Sequence, residues 1–158
     1  MRKQKGFSLI ELLIVVAIIL IIAAIAIPNL LRARIAANES GAAAGIRTIN
    51  TGEVSYQSAF QTFSPTLVSL GPGGPAVACP NPPTAAASCY IDGQLASGTK
   101  SGYTLALPAS TATTYNTTAN PISSSTGVRS FCSIEDGVVR FVASGGVATC
   151  TAAIASLQ

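Results

Sequence analysis

The chain contains no histidine and no tryptophan, and only 9% of its 158 residues are charged. Without histidine, the usual general base near neutral pH is missing, as is the nitrogen ligand of most zinc sites. The sequence holds no Gly-Lys-Ser/Thr phosphate loop and no paired carboxylates beyond the adjacent Glu135 and Asp136. Those two sit at a turn signal and read as turn residues rather than calcium ligands. The chain is therefore read as a non-enzyme with no catalytic residue, no cofactor and no metal site. Nine basic against six acidic residues give a net charge of +3, but Arg2, Lys3 and Lys5 all precede Phe7. The remaining side chains balance at six against six, so no basic patch is left and no specific nucleic acid partner is expected.

What the chain has is a long apolar run. Lys5-Gly6-Phe7-Ser8-Leu9-Ile10-Glu11 leads straight into the unbroken segment Leu12 to Ile27. Phe7 to Ile27 is 21 residues, which at helical rise gives about 32 Å, one bilayer core. The basic cluster before it argues for a cytoplasmic N-terminus, although Arg32 and Arg34 behind it dilute that bias. An ordinary secretory signal has a shorter apolar core with its cleavage site afterwards. Ala24-Ile25-Ala26 would serve as such a site, so a secreted product cut there stays open as an alternative. Glu11 is the anomaly. A charged side chain at the centre of a span costs roughly 2.5–3.5 kcal/mol on insertion scales, so a carboxylate inside one is read as functional.

Beyond the span, Pro28 removes a backbone donor and predicts a kink. Helical periodicity then resumes: Ile35, Ala42, Ile49, Tyr56 and Phe63 recur every seven residues, Ile46 and Phe60 fill in, and Glu39 and Glu53 interrupt. Ser64-Pro65 stops this helix near Phe63. Gly41, Gly45 and Gly52 weaken it by about 1 kcal/mol each against alanine, so packing must hold it. Residues 64 to 102 are rich in Pro, Gly, Ala and Ser and read as a surface loop. Strands are predicted at Tyr103 to Leu107, Val128 to Ile134, Val138 to Ala143 and Val147 to Ala152, with Asp136-Gly137 as a hairpin turn. Ser110 to Thr126, Ser/Thr-rich, reads as a solvated loop, and its sequon makes Asn116 a candidate for glycosylation.

Four cysteines, Cys79, Cys89, Cys132 and Cys150, all follow the span. An even count in an exported segment without histidine favours two disulfides over zinc. Three pairings are possible. Cys79 with Cys89 and Cys132 with Cys150 are preferred because short loops close most easily. A simple meander would place Cys132 and Cys150 two strands apart, about 9.6 Å, so the last segment would have to curl back.

Gly6, Phe7, Glu11 and Pro28 stand in the order and at the positions of the class III leader shared by type IV pilins and type II secretion pseudopilins. The resemblance is specific over residues 5 to 34. Farther on, Gly102-Tyr103, Asn120-Pro121, Gly127 to Phe131 and Asp136-Gly137 look like pilin head elements, and Cys132 with Cys150 looks like a pilin C-terminal disulfide loop. Many pilins carry a glycine inside the span; this one has none, which leaves open how far the helix extends near Pro28. The resemblance implies an α+β, pilin-like fold, in which a long N-terminal helix packs against a small antiparallel sheet. Its implied parts are a leader peptide (1–6), a transmembrane and assembly helix (7–30), an amphipathic half (31–63) and a globular head (64–158). It also implies cleavage between Gly6 and Phe7, methylation of the Phe7 amine, and assembly through Phe7, Glu11 and Pro28. The implied function is a structural subunit of a type IV pilus, with a pseudopilin or minor pilin as the alternative and an anchored or secreted binding domain behind both. Implied partners are further copies in a helical filament, a prepilin peptidase/methylase, and an assembly platform with its ATPase. The chain would sit in the inner membrane as a single pass, then in an extracellular pilus or a periplasmic pseudopilus.

Overall fold

The computed structural model of the protein describes residues 8–74 and 77–157. Residues 9 to 27 contain neither glycine nor proline, and their aliphatic side chains sustain the start of a long helix, α1 (Leu9–Phe60). The helix continues through Pro28, which lies inside α1. Proline removes one hydrogen bond, and the alanine- and leucine-rich turns on both sides carry the helix past it. The chain divides into two compact units at the Arg34–Ile35 junction.

In the first unit the large aliphatic side chains from Leu9 to Leu31 are exposed. In the second, the C-terminal part of α1 buries Ala42, Ala43, Ile46, Ile49 and Tyr56 against the head. The helix ends at Phe60, three residues before the expected Phe63, because Gln61 turns into left-handed backbone (φ 58). Phe63 is nevertheless buried, its ring tilted against that of Tyr115 at 4.8 Å between ring centres. The three helix glycines make the packing possible. A Cβ on Gly41 would lie 2.8 Å from Ser101 Oγ, one on Gly45 3.3 Å from Leu95 and Leu105, and one on Gly52 3.0 Å from Ile91.

The predicted surface loop contains two single-turn helices, α2 (Leu67–Leu70) and α3 (Gly93–Ala96), and the short strand β1 (Thr99–Lys100). Then come β2 (Tyr103–Ser110), β3 (Tyr115–Pro121), β4 (Ser130–Ile134) and β5 (Arg140–Val142). The five strands form one antiparallel meander in chain order. A register shift in β2 between Ala106 and Ala109 accommodates Pro108, which has no N–H for the ladder.

Two expectations are overturned here. The segment read as a solvated loop supplies β3, the middle strand. Its composition suggested solvent, but threonine is β-branched and suits a pleated surface. One face of β3 turns to α1, through Tyr115 and Ala119, and the other presents Asn116 and Asn120 to the C-terminal segment. Val147 to Ala152, predicted as a strand, belongs to none of the five. That segment curls back across the sheet, which brings Cys150 to a Cα–Cα distance of 5.5 Å from Cys132. The separation that a meander would impose on those cysteines is thereby avoided.

Candidate functional site

The N-terminal part of α1 carries the strongest functional signal. It is long and apolar enough to cross a membrane, with a mean hydropathy of 3.3 in its best window. None of that window is buried within the protein. An aliphatic surface left this open in water would be unfavourable by roughly 25 cal/mol per Å², so it belongs in lipid or against other apolar helices. Within it stands one acid. Glu11 lies in the first turn of α1, and its Oε2 accepts a hydrogen bond from Ser8 N at 2.9 Å. The spacing Ser8-x-x-Glu11 is that of a capping box, in which the acid satisfies a donor that the helix leaves unpaired. Gly6 and Phe7, the residues expected to flank a cleavage site, lie outside the described residues.

The predicted stripe has three polar members that sequence periodicity treated as interruptions or passed over. All three are buried, and each ties the helix to a different part of the head. Glu39 Oε1 accepts from the backbone N–H groups of Val128 and Arg129, both at 3.1 Å, while its Oε2 pairs with Arg129 Nε at 3.2 Å. Asn50 donates to Ser133 Oγ and to the Gly137 carbonyl, and accepts from the Tyr115 hydroxyl. Glu53 accepts from Ser64 N at 2.8 Å. The helix is thus registered on the sheet by directional bonds as well as by packing. Asn50 was missed because an isolated asparagine on an apolar face carries no motif.

The two disulfides join Cys79 to Cys89 and Cys132 to Cys150. Asn116 lies in β3 with both atoms of its amide engaged: Nδ2 donates to the Cys150 carbonyl at 2.9 Å, and Oδ1 accepts from Cys150 N at 3.0 Å. The sequon hydroxyl belongs to Thr118, which is buried. In the folded head Asn116 is therefore a structural side chain that ties β3 to the backbone of Cys150. Asp136 grips the Arg140 guanidinium through both its oxygens, and this pairing holds its carboxyl below the usual range. With Asp136 so occupied, Glu135 and Asp136 act at the turn. Among the described residues no group of three His, Cys, Asp or Glu side chains is placed to hold a metal ion.

The described residues thus give an exposed apolar helix with a single carboxylate near its start, and a head closed by two disulfides. Residues 1–27 match the family model for the prokaryotic N-terminal methylation motif. Over 74 residues the chain is 46% identical to the type IV wide pilus major component PilA4 of Thermus thermophilus, covering 45% of this chain and 56% of that protein. Over 69 residues it is 39% identical to the type IV major pilin PilA of Myxococcus xanthus, covering 44% of this chain and 31% of that protein. The matches span about half or less of the length of these relatives. The chain is homologous to these type IV pilins over the matched spans, and its own residues 1–27 carry the methylation motif.

Proposed function

We propose that this chain is the structural subunit of a type IV pilus, a building block whose chemistry is assembly. The observation that carries this reading is the exposure of every large aliphatic side chain of α1 from Leu9 to Leu31, a surface interrupted at Glu11. In the proposed sequence of events, the subunit waits in the inner membrane with its N-terminus cytoplasmic. A prepilin peptidase cleaves after Gly6 and methylates the new Phe7 amine. A platform driven by an ATPase then draws the helix out of lipid and into a bundle of identical helices, and the heads form the surface of the fibre.

Glu11 gives the docking step its direction. A carboxylate moved into a low-dielectric bundle is strongly destabilising unless paired, and so is the Phe7 ammonium. Placing the amine of one subunit against Glu11 of a neighbour offsets both penalties in one contact, and an apolar residue in either place loses it. The bond from Ser8 N occupies one carboxylate oxygen, which leaves the second for the incoming amine. Two substitutions separate assembly from helix capping. Glu11→Gln keeps an acceptor for Ser8 N but loses the charge; Glu11→Val loses both. Pairing predicts that both variants are processed and membrane-resident but yield few fibres. Normal fibre yield from Glu11→Gln would reduce Glu11 to a capping residue and remove the basis of this reading.

A further inference from the structure

Glu53 has an environment that assembly does not call for. Its side chain is completely buried on the face of α1 turned to the core of the head, at 0% exposure. Oε2 accepts a single hydrogen bond, from Ser64 N, and Oε1 has no partner among the described residues. None of the ion pairs among those residues includes it. The titratable groups facing it are two phenols, Tyr56 on α1 itself and Tyr115 on β3. Burial raises the pKa of both, so they stay neutral. Behind Tyr115 lie Glu135 and Asp136 on the β4–β5 turn, and the one cation there, Arg140, is taken up by Asp136. Nothing there compensates a negative charge on Glu53. Burial pushes its carboxyl up to about 7, against a smaller opposing pull from the Ser64 N–H.

The partner of Glu53 heads a relay of bonds. Ser64, itself buried, donates from Oγ to the Thr66 carbonyl at 2.6 Å. Thr66 caps α2 by accepting from Ser69 N, and the Ser69 carbonyl accepts from Ser88 N, next to the disulfide at Cys89. One carboxyl therefore anchors the chain where it leaves α1, and the loop beyond is built on that anchor. We propose that Glu53 is a proton-operated latch: protonated, it holds Ser64 against the helix, and on losing its proton it lets residues 61–70 open so that water reaches the carboxylate. The latch is a property of the head and does not depend on the filament reading.

The direction follows from linkage. The closed form holds the proton up to about 7 and the open form only to 4.5, so closure is most favoured below 4.5. That advantage is lost as the pH rises from 4.5 to 7, and closure is level above 7.

The test is hydrogen–deuterium exchange on the full chain in detergent micelles at pH 5 and pH 8, with intrinsic exchange divided out at each pH. If opening returns Glu53 to its ordinary range, the opening equilibrium of residues 64–70 rises roughly seventyfold between the two, and by less if the return is partial. Glu53→Gln keeps an acceptor for Ser64 N without a titrating proton, so its protection is expected to be the same at both pH values. Equal protection of the wild type at pH 5 and 8, or the same pH response in Glu53→Gln, would overturn the latch. Should that variant fail to fold, the carbon-13 titration of the Glu53 carboxyl in the wild type decides alone. A midpoint near 7 supports the proposal, and one below 5 overturns it.

Discussion

Asn116 pairs with the backbone of Cys150 in both directions, donating to its carbonyl and accepting from its N–H, and so acts as a one-residue substitute for a sheet partner. Asn120 does the same for Val147, at 3.0 and 2.7 Å. The two asparagines hold residues 147–150 across the sheet, before the chain bridges to β5 at Ser156. Each pair lost leaves a partly buried backbone donor and acceptor unsatisfied, at about 1–3 kcal/mol. Asn116→Ala and Asn120→Ala are each expected to lower head stability by that order in chemical denaturation. Exchange protection should be lost first in residues 147–150.

The Cys132–Cys150 bridge closes the same tail over a sequence separation of 18, against 10 for Cys79–Cys89. On loop-closure grounds the longer loop gains slightly more from its bridge, about 3 kcal/mol. The paired variant Cys132→Ser with Cys150→Ser is expected to lose roughly 2–5 kcal/mol in denaturant titration. Val147 and Ile154, which pack around this bridge, should become exposed.

Asp136 supplies a pH dependence opposite in sign to that of Glu53. Its folded pKa is lowered, first by the hydrogen bonds from Arg140, so the pair contributes stability above the ordinary value of 3.8. That contribution is lost as the pH falls below 3.8 and through the lowered folded value. Asp136→Asn is therefore expected to be less stable than the wild type at pH 7. The gap should narrow progressively below pH 4 in thermal unfolding, and a gap independent of pH would show that the pairing contributes nothing.

The parts of the molecule legible in the sequence were those governed by local periodicity. The aliphatic run, the apolar positions Ala42, Ile46, Ile49 and Tyr56, and the presence of β2, β4 and β5, though not all of their ends, follow from spacing and β-branched content. What escaped was decided by tertiary contact. β3 reads as polar because one of its faces exists to meet the tail through Asn116 and Asn120. The apolar alternation of Val147 to Ala152 looked like a strand, but Cys150 is tied elsewhere. Glu39 and Glu53 looked like breaks in a stripe; their buried partners are backbone N–H groups about 90 and 11 residues away, which no local pattern reveals.

The central claim is that this chain is cut at one bond and built into a fibre through the helix that follows. Mass spectrometry of fibres sheared from cells tests it most directly. The account predicts that the fibre's principal protein is this chain, beginning at Phe7 with the added mass of one methyl group on its amine. Fibres that lack this chain, or a mature protein beginning near Ile27 or Asn29, would contradict it.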